Sequence, residues 1–407
     1  MPGRRIPLFW QHDPTLYAPA KHRKACRYEA YVPDPLAELK LSLSGAVAGV
    51  VSDAENAIRG LNSFARPALA PLARLLLRTE SIASSKVEGL QVGVRELARA
   101  EARHETGRNV GPTALEVLAN IDAMQIAVDA ATNADVFTAD QITAIHTRLM
   151  EHSPNASRIA GQIRASQNWI GGNDYNPCGA DFVPPPPEYV SFLLDDVCTA
   201  VNDETLPPLV QAALVHAQFE TIHPFLDGNG RTGRALVQVV LRRRGLAPDY
   251  VPPISIVLAN AKDRYLAGLT AFREDRIEAW VEHFAAAAAG AALLAEGYLR
   301  RVGALVAEWR KRLADASAPR SDAAAWAVIE VLPAHPIITA PVAAAAVRRA
   351  KPSIYEAIRQ LEGAGVLIPL SAGSRNQSWE AVGLLDLLAD LEAGCAPAAR
   401  KPSWPVG

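Results

Sequence analysis

The chain has 407 residues, long enough for about two or three domains, and its 41 Lys and Arg against 43 Asp and Glu leave a formal charge of −2, which excludes a generally basic nucleic-acid binder. Hydrophobic residues make up 49% and aromatic ones only 6%, with alanine abundant, a composition that favours helices over sheets. Cys26, Cys178, Cys198 and Cys395 have neither CxxC nor Cys/His spacing, so no zinc site or disulfide framework follows, and with no signal-like N-terminus or uninterrupted apolar span to cross a bilayer, a cytoplasmic protein without membrane attachment is the expectation.

Residues 1–35 carry Pro2, Pro7, Pro14, Pro19, Pro33 and Pro35 among basic residues and show no sustained period, which reads as an extended arm. From 36 to about 60, Leu36, Leu39, Leu43, Val47 and Val50 recur at helical spacing, and a second helix fits 71–78. Residues 84–89 read as a helix C-terminus, with Gly89 as its left-handed cap and Glu88 a solvated carboxylate. Two further helical patterns between 94 and about 131 break near 107–112. Thr138 and Gln141 form a capping-box pair before Ile142, Ile145 and Leu149, a helix start. The segment GQIRASQNWIGG at 161–172 leads into 173–187, whose Gly, Pro, Asn and Asp argue against helix, and a helix follows from 188 to about 201.

Residues 206–222 are a helix with Val210, Leu214 and Ala217 on its apolar face, and it delivers the run HPFLDGNGRTGR at 223–234. Gly228 and Gly230 can take backbone angles closed to other residues, so this loop can turn N–H groups inward as an anion nest. The apolar run 235–241 reads as helix, which places the loop at a helix N-terminus, where the macrodipole favours negative charge. Arg231 and Arg234, three apart, share a face, and two guanidinium forks over a nest suit a polyphosphate. Asp227 offers hard oxygen ligation for Mg²⁺. His223 is the group in this run able to remove a proton near neutral pH.

A lone His before Pro, a GxG turn or a pair of arginines each has a bland reading, but a plain turn needs neither the Asp, the Asn nor arginines at helical spacing. The run resembles the signature of the Fic family, HPFx(D/E)GNGRxxR, at every fixed position. That resemblance implies transfer of AMP from ATP to a Ser, Thr or Tyr hydroxyl of a target protein, with release of pyrophosphate. By position, His223 is then the general base, Asp227 the Mg²⁺ ligand and Asn229 the side chain on the α-phosphate. Gly228 and Gly230 give N–H groups to the phosphates, and Arg231 and Arg234 hold the β- and γ-phosphates. Phosphate-transferring relatives carry Lys after the Asn; Gly230 stands there in this chain, which favours AMP transfer.

Two other segments gain meaning from the same resemblance. Residues 84–89 match the family's inhibitory pattern (S/T)xxxE(G/N), which makes Ser84, Glu88 and Gly89 an inhibitory segment near 81–89, with Glu88 directed to Arg234 in place of the γ-phosphate. The GQIRASQNWIGG segment resembles the one that precedes the family's flap, so a short β-hairpin near 170–184 is expected to hold a target protein segment by strand addition.

After the run, the helix from 232 ends at Gly245 with Arg242, Arg243 and Arg244 in its last turn, where cations suit the dipole. Residues 277 to about 313 read as one long helix with an alanine tract. A linker at 316–321 precedes three short helices, at 322–331, 339–350 and 353–363, and two strands, at 366–370 and 378–382, separated by 372–377. Three helices and a two-stranded wing resemble a winged helix-turn-helix, with Ser353, Tyr355, Arg359 and Gln360 on or near its recognition helix, and DNA or a protein open as its ligand. The expected fold is mainly α: an arm at 1–35, an N-terminal helical region at 36–135, a Fic-type helical core at 136–315, a winged helix at 321–392 and a disordered tail at 396–407. Besides AMP transfer, two readings stay open: a DNA-binding regulator whose nucleotide site is a sensor, and removal of AMP from a modified protein by the same site. The target protein, the modified residue and any homo-oligomeric state are not legible.

Overall fold

The computed structural model describes residues 3–63, 70–105, 107–370 and 377–394. The expected tail at 396–407 and nearly all of the loop at 372–377 lie outside them. The described chain is mostly helical. In order, β1 (Arg4–Trp10) and β2 (Cys26–Val32) precede α1 (Gly45–Ser63), α2 (Ala70–Val87), α3 (Val94–His104) and α4 (Pro112–Asn133). Then come α5 (Ala139–Met150), the one-turn α6 (Ala156–Ile159), α7 (Pro187–Asn202), α8 (Pro208–Ile222) and α9 (Asn229–Arg243). They are followed by α10 (Ile254–Asn260), α11 (Lys262–Arg273), the long α12 (Ile277–Ser317) and α13 (Ala324–Val331). The last elements are β3 (Ile337–Thr339), α14 (Ala340–Val347), α15 (Lys351–Gly363), β4 (Leu367–Pro369), β5 (Ser378–Ala381) and α16 (Leu384–Glu392).

The chain folds as two compact units, one made of Met1–Glu55, Asp122–Leu246 and Ala261–Ala287, the other of Asn56–Ile121, Ala247–Asn260 and Ala288–Gly407. In the first unit α8 is the axis. Every residue from Leu209 to Ile222 is buried, the polar Gln211, His216, Gln218, Glu220 and Thr221 included, so the helix has no solvent face, and α7, α9 and α11 pack on it. Gly233 lets α9 come close: a Cβ there would sit 2.9 Å from Glu220 Oε1 and 3.1 Å from Phe219 Cδ1. The capping box of Thr138 and Gln141 starts α5, which packs on α9. Residues 36–38 form a 3-10 turn instead of joining α1, because the N–H groups of Leu36 and Ala37 are taken by the Asp196 carboxylate on α7 at 2.5 and 3.1 Å.

The arm expected at 1–35 is extended but paired. β1 runs antiparallel to β2 from Arg4↔Val32 to Trp10↔Cys26, with Pro7 tolerated because a two-stranded ribbon leaves one edge of each strand open. The hairpin is laced to residues 169–183. Tyr31 N–H donates to Val183 O at 2.9 Å, Trp10 meets Trp169 edge to face, and Asn176 Nδ2 donates to His22 O at 2.5 Å. Cys26 and Cys178 are joined in a disulfide with Cα atoms 6.1 Å apart, which corrects the reading that no bridge was in prospect; Cys198 is a buried free thiol. The expected flap hairpin is reduced to one antiparallel bridge, Ile170↔Phe182, closing a loop of turns.

In the second unit α2 is longer than its sequence period suggested and packs on α10, where the buried Glu80 accepts Ser255 N–H at 2.8 Å and Ser255 Oγ at 2.5 Å. Its end is a Schellman motif: Gly89, at φ +84°, donates to Lys86 O and Leu90 donates to Ser85 O. Near the C-terminus, β5 lies between β3 and β4, antiparallel to both, and α13, α14 and α15 pack together. By length and composition α12 could cross a membrane, contrary to the sequence expectation. Half of its most apolar window is buried inside the protein, and a buried core helix meets the same criterion.

Candidate active site

The site begins where α8 ends. His223 caps α8 in the left-handed conformation (φ 50°, ψ 60°), its N–H donating to Phe219 O at 2.9 Å, and Pro224 prevents further helix. This backbone costs a β-carbon residue about 1 kcal/mol or more and needs support. Arg164 supplies it. Its buried guanidinium donates from Nε to His223 O (2.9 Å) and from Nη2 to Ile222 O (3.2 Å) and Pro185 O (2.6 Å), while its N–H donates to Pro224 O (2.9 Å). Of these, Ile222 O and His223 O are carbonyls that the C-terminus of α8 leaves without intrahelical donors. Burial without a hydrogen-bonded carboxylate pulls the Arg164 pKa down to about 10, partly offset by Glu188.

The His223 ring is held at Nδ1, which faces Asn168 Nδ2 at 3.0 Å and Asn229 Nδ2 at 3.1 Å. Asn229, first residue of α9, also brackets Phe225: its Oδ1 accepts Phe225 N–H at 2.9 Å and its Nδ2 donates to Phe225 O at 2.8 Å. Thus α8 and α9 are clamped across the turn by one side chain.

Gly228 caps α9 at φ +76°, and a Cβ there would stand 2.9 Å from Met150 Sδ and 3.2 Å from His146 Nε2. Only glycine satisfies both conditions. Gly230, by contrast, lies inside α9 and is not at positive φ, which corrects the two-glycine nest expected from the sequence. What remains is a helix N-terminus: the first intrahelical bond runs from Thr232 N–H to Gly228 O at 3.0 Å, so the N–H groups of Asn229, Gly230 and Arg231 precede it. Arg231 and Arg234, 4% and 2% exposed, stand on the first turns of this helix. Asp227 is the accessible partner: 63% of its side chain is exposed, its Oδ1 accepts Gly228 N–H at 2.6 Å, and Arg231 Nη2 lies 3.9 Å away.

His146 on α5 supports this turn from beneath. Its ring lies flat on Phe225, with centroids 3.7 Å apart; Gly161 N–H donates to Nδ1 at 2.9 Å, which leaves the proton on Nε2 for Asp227 O, also at 2.9 Å. Burial drives its pKa down to about 4, against the opposing pull of the Asp227 carbonyl and charge.

This arrangement has known counterparts. Residues 136–241 match the model of the Fic/DOC family, and residues 49–129 match that of the Fic/DOC family N-terminal region. The chain carries the Fic/DOC domain. The Protein adenylyltransferase fic-1 of Caenorhabditis elegans is 35% identical over 121 residues, 29% of this chain and 22% of that protein. The Protein adenylyltransferase Fic of Nematostella vectensis is 34% identical over 131 residues, 31% of this chain and 27% of that one. The match therefore spans about a quarter of the length of these relatives. Among solved structures, a Fic family protein from Desulfovibrio desulfuricans G20 superposes with a TM-score of 0.51 at 21% identity, over 84% of this chain and 98% of that one. A Fic domain containing signaling protein from Bacteroides thetaiotaomicron gives 0.50 at 19%, over 62% and 98%. Both likenesses concern the fold.

Within the Fic domain, His223, Asp227, Gly228, Asn229, Gly230, Arg231 and Arg234 all fall on the α8–α9 turn and the first turns of α9. Ser84, Glu88 and Gly89 belong to the second unit, where Ser84 is buried in α2, Glu88 is exposed just past its end and Gly89 is the αL residue. Arg164, Asn168 and His146 were not singled out from the sequence. The first two lie in the GQIRASQNWIGG segment, whose only signal is resemblance, and the third stands among Ile142, Ile145 and Leu149 with no motif to mark it.

Proposed function

We propose that this chain is a protein adenylyltransferase that moves AMP from ATP to a Ser, Thr or Tyr hydroxyl of a target protein. The observation that carries the reading is the setting of His223, clamped at Nδ1 beside the N-terminus of α9 with two buried arginines and one exposed carboxylate. The amides before the first intrahelical bond and the Arg231 and Arg234 forks suit the triphosphate. The hydroxyl oxygen forms a bond to the α-phosphorus, the bond from that phosphorus to the bridging oxygen of the β-phosphate breaks, and pyrophosphate leaves. His223 takes the hydroxyl proton. The donors at α9 compensate charge that grows on the departing oxygens.

The residues present fit Mg²⁺. This ion takes one or two carboxylates and fills its other positions with water and substrate phosphate. Asp227, exposed and with one oxygen engaged by Gly228 N–H, offers such a carboxylate; among the described residues no cluster of three or more His, Cys, Asp or Glu forms a protein-only cage. When bound, the ion would neutralise phosphate charge. The loop closed by Ile170 and Phe182 is the proposed seat of the target segment, and Glu88 the proposed brake on ATP orientation. Incubation with ATP labelled at the α-phosphate tests the reading: label should enter protein. Label entering from the γ-phosphate and not from the α-phosphate would replace AMP transfer by phosphate transfer.

A further inference from the structure

From α13 onward the second unit runs α13, β3, α14, α15, β4, β5, α16, with β5 between the other two strands and the first three helices packed together. The turn from α14 to α15 is three residues long, Arg348, Arg349 and Ala350. Arg348 caps α14 in the left-handed conformation (φ 52°, ψ 47°), its N–H donating to Ala344 O, where a glycine would cost least. One side of α15 is buried through Ile354, Ala357, Ile358 and Leu361. Lys351, Ser353, Tyr355, Glu356 and Arg359 are exposed on the other, and Tyr355 keeps 51% of its surface in solvent.

Charge is divided between two sides of this segment. Its carboxylates turn inward: Glu380 and Asp386 pair with Arg95 of α3, Asp386 at 2.7 Å, while Glu330 pairs with Arg310 of α12 at 2.6 Å and Asp390 with Arg301 of α12 at 3.4 Å. The buried Trp309 of α12 donates to Val382 O at 3.1 Å on the same side. Among the described residues between 324 and 392 the Lys and Arg are Arg348, Arg349, Lys351 and Arg359. Arg359 is paired with Glu356 one turn before it. The other three are exposed around the turn, with no ion-pair partner among the described residues. The acidic side therefore seats the segment on α3 and α12, and the cationic turn faces solvent, a division that the overall charge of −2 conceals.

We propose that α14 and α15 bind duplex DNA as a helix-turn-helix, with α15 in the major groove and Arg348, Arg349 and Lys351 on the phosphates at its edge. Two packed helices joined by a short turn place the second helix in the groove by its N-terminal residues. A helix with its side chains is about 10–12 Å across and the B-form major groove about 12 Å wide, whereas the A-form major groove is too narrow and deep for side chains to read. The three cations meet the backbone where α15 enters; Ser353 and Tyr355, in its first two turns, reach base edges, the tyrosine ring packing on thymine methyls. Glu356, held by Arg359, suits the N4 donor of a cytosine.

The test uses full-length protein and a fluorescein-labelled random-sequence duplex of about 30 base pairs, followed by anisotropy. Three phosphate contacts predict a slope of about −2.7 in log K against log salt, which is an affinity loss of about 40-fold from 50 to 200 mM NaCl. Arg349→Ala and Lys351→Ala should each make the slope shallower by about one, and Arg348→Gly/Arg349→Ala/Lys351→Ala should bind at least about tenfold more weakly at 50 mM. Arg348→Gly alone keeps the left-handed cap, so it should melt no lower than wild type and still lose one unit of slope, which separates lost binding from lost folding. Selection from a random duplex pool should enrich a shared sequence that Tyr355→Ala no longer prefers, its slope being unchanged. The surface stands independent of the transferase reading, and AMP transfer by the triple variant should match wild type. Absence of binding at 50 mM, equal binding by a folded triple variant, a pool that stays random, or equal competition by an RNA duplex overturns the proposal. A protein retained by wild type and lost by the triple variant, with the duplex bound by neither, overturns it too and assigns the surface to a protein partner.

Discussion

His146 makes the turn that carries Asp227 sensitive to acid, and the sign follows from its surroundings. The folded ring stays neutral down to about pH 4, because burial penalises the cation, whereas the unfolded chain takes up the proton near 6.5. Between these values the unfolded state holds more protons, so stability falls as pH falls through that window. The window is 2.5 units wide, and at about 1.4 kcal/mol per unit its full effect is about 3 kcal/mol. Above pH 6.5 this residue contributes no slope. Below 4 the imidazolium must lose the Gly161 N–H, so the turn at Asp227 and Gly228 loosens as well. The assay is urea unfolding at pH 7.5, 6.0, 5.0 and 4.5 for wild type and His146→Gln, whose amide can keep an acceptor and a donor but does not titrate. The stability difference between wild type and variant should shrink by about 2–3 kcal/mol from pH 7.5 to 4.5. Parallel curves for the two proteins would refute the claim that His146 is held neutral.

Three further outcomes are expected. Gly228→Ala meets both a left-handed backbone and a Cβ 2.9 Å from Met150 Sδ, and should cost about 2–4 kcal/mol in denaturant unfolding; a loss below about 1 kcal/mol would mean that the turn relaxes freely. Cys26→Ser opens a link across 152 residues and should cost about 3–5 kcal/mol, read as a lower unfolding midpoint that reductant reproduces in wild type; coincident curves would argue against the bridge. Glu88→Gly should transfer AMP markedly faster than wild type at equal ATP and Mg²⁺, self-modification included, and equal rates would dismiss the brake.

The sequence carried the site's chemistry because that chemistry is contiguous. His223 to Arg234 span one helix end, one turn and one helix start, and the glycine, carboxylate and arginines each have a local reason visible in their spacing. Local signals also succeeded elsewhere, in the Thr138 and Gln141 capping box and in the Gly89 cap of α2. What escaped is long-range. Arg164 reaches the α8 terminus from 59 residues away and His146 reaches Asp227 from 81, and no period or propensity encodes such a contact. The Cys26–Cys178 pair has ordinary spacing in sequence and proper geometry only after the hairpin and the loop 171–183 meet. Gly230 misled for the opposite reason: a residue free to adopt unusual angles is also free to be an ordinary helical one.

The most direct measurement compares wild type with His223→Ala for two readouts, incorporation of α-phosphate label from ATP into protein and binding of ATP itself. The account assigns the imidazole to the proton and the α9 terminus with Arg231 and Arg234 to the nucleotide. It predicts that the variant loses label transfer by about 10²-fold or more while its affinity for ATP stays within about threefold. Label transfer that survives the substitution, or transfer and ATP binding lost in equal proportion, would contradict it.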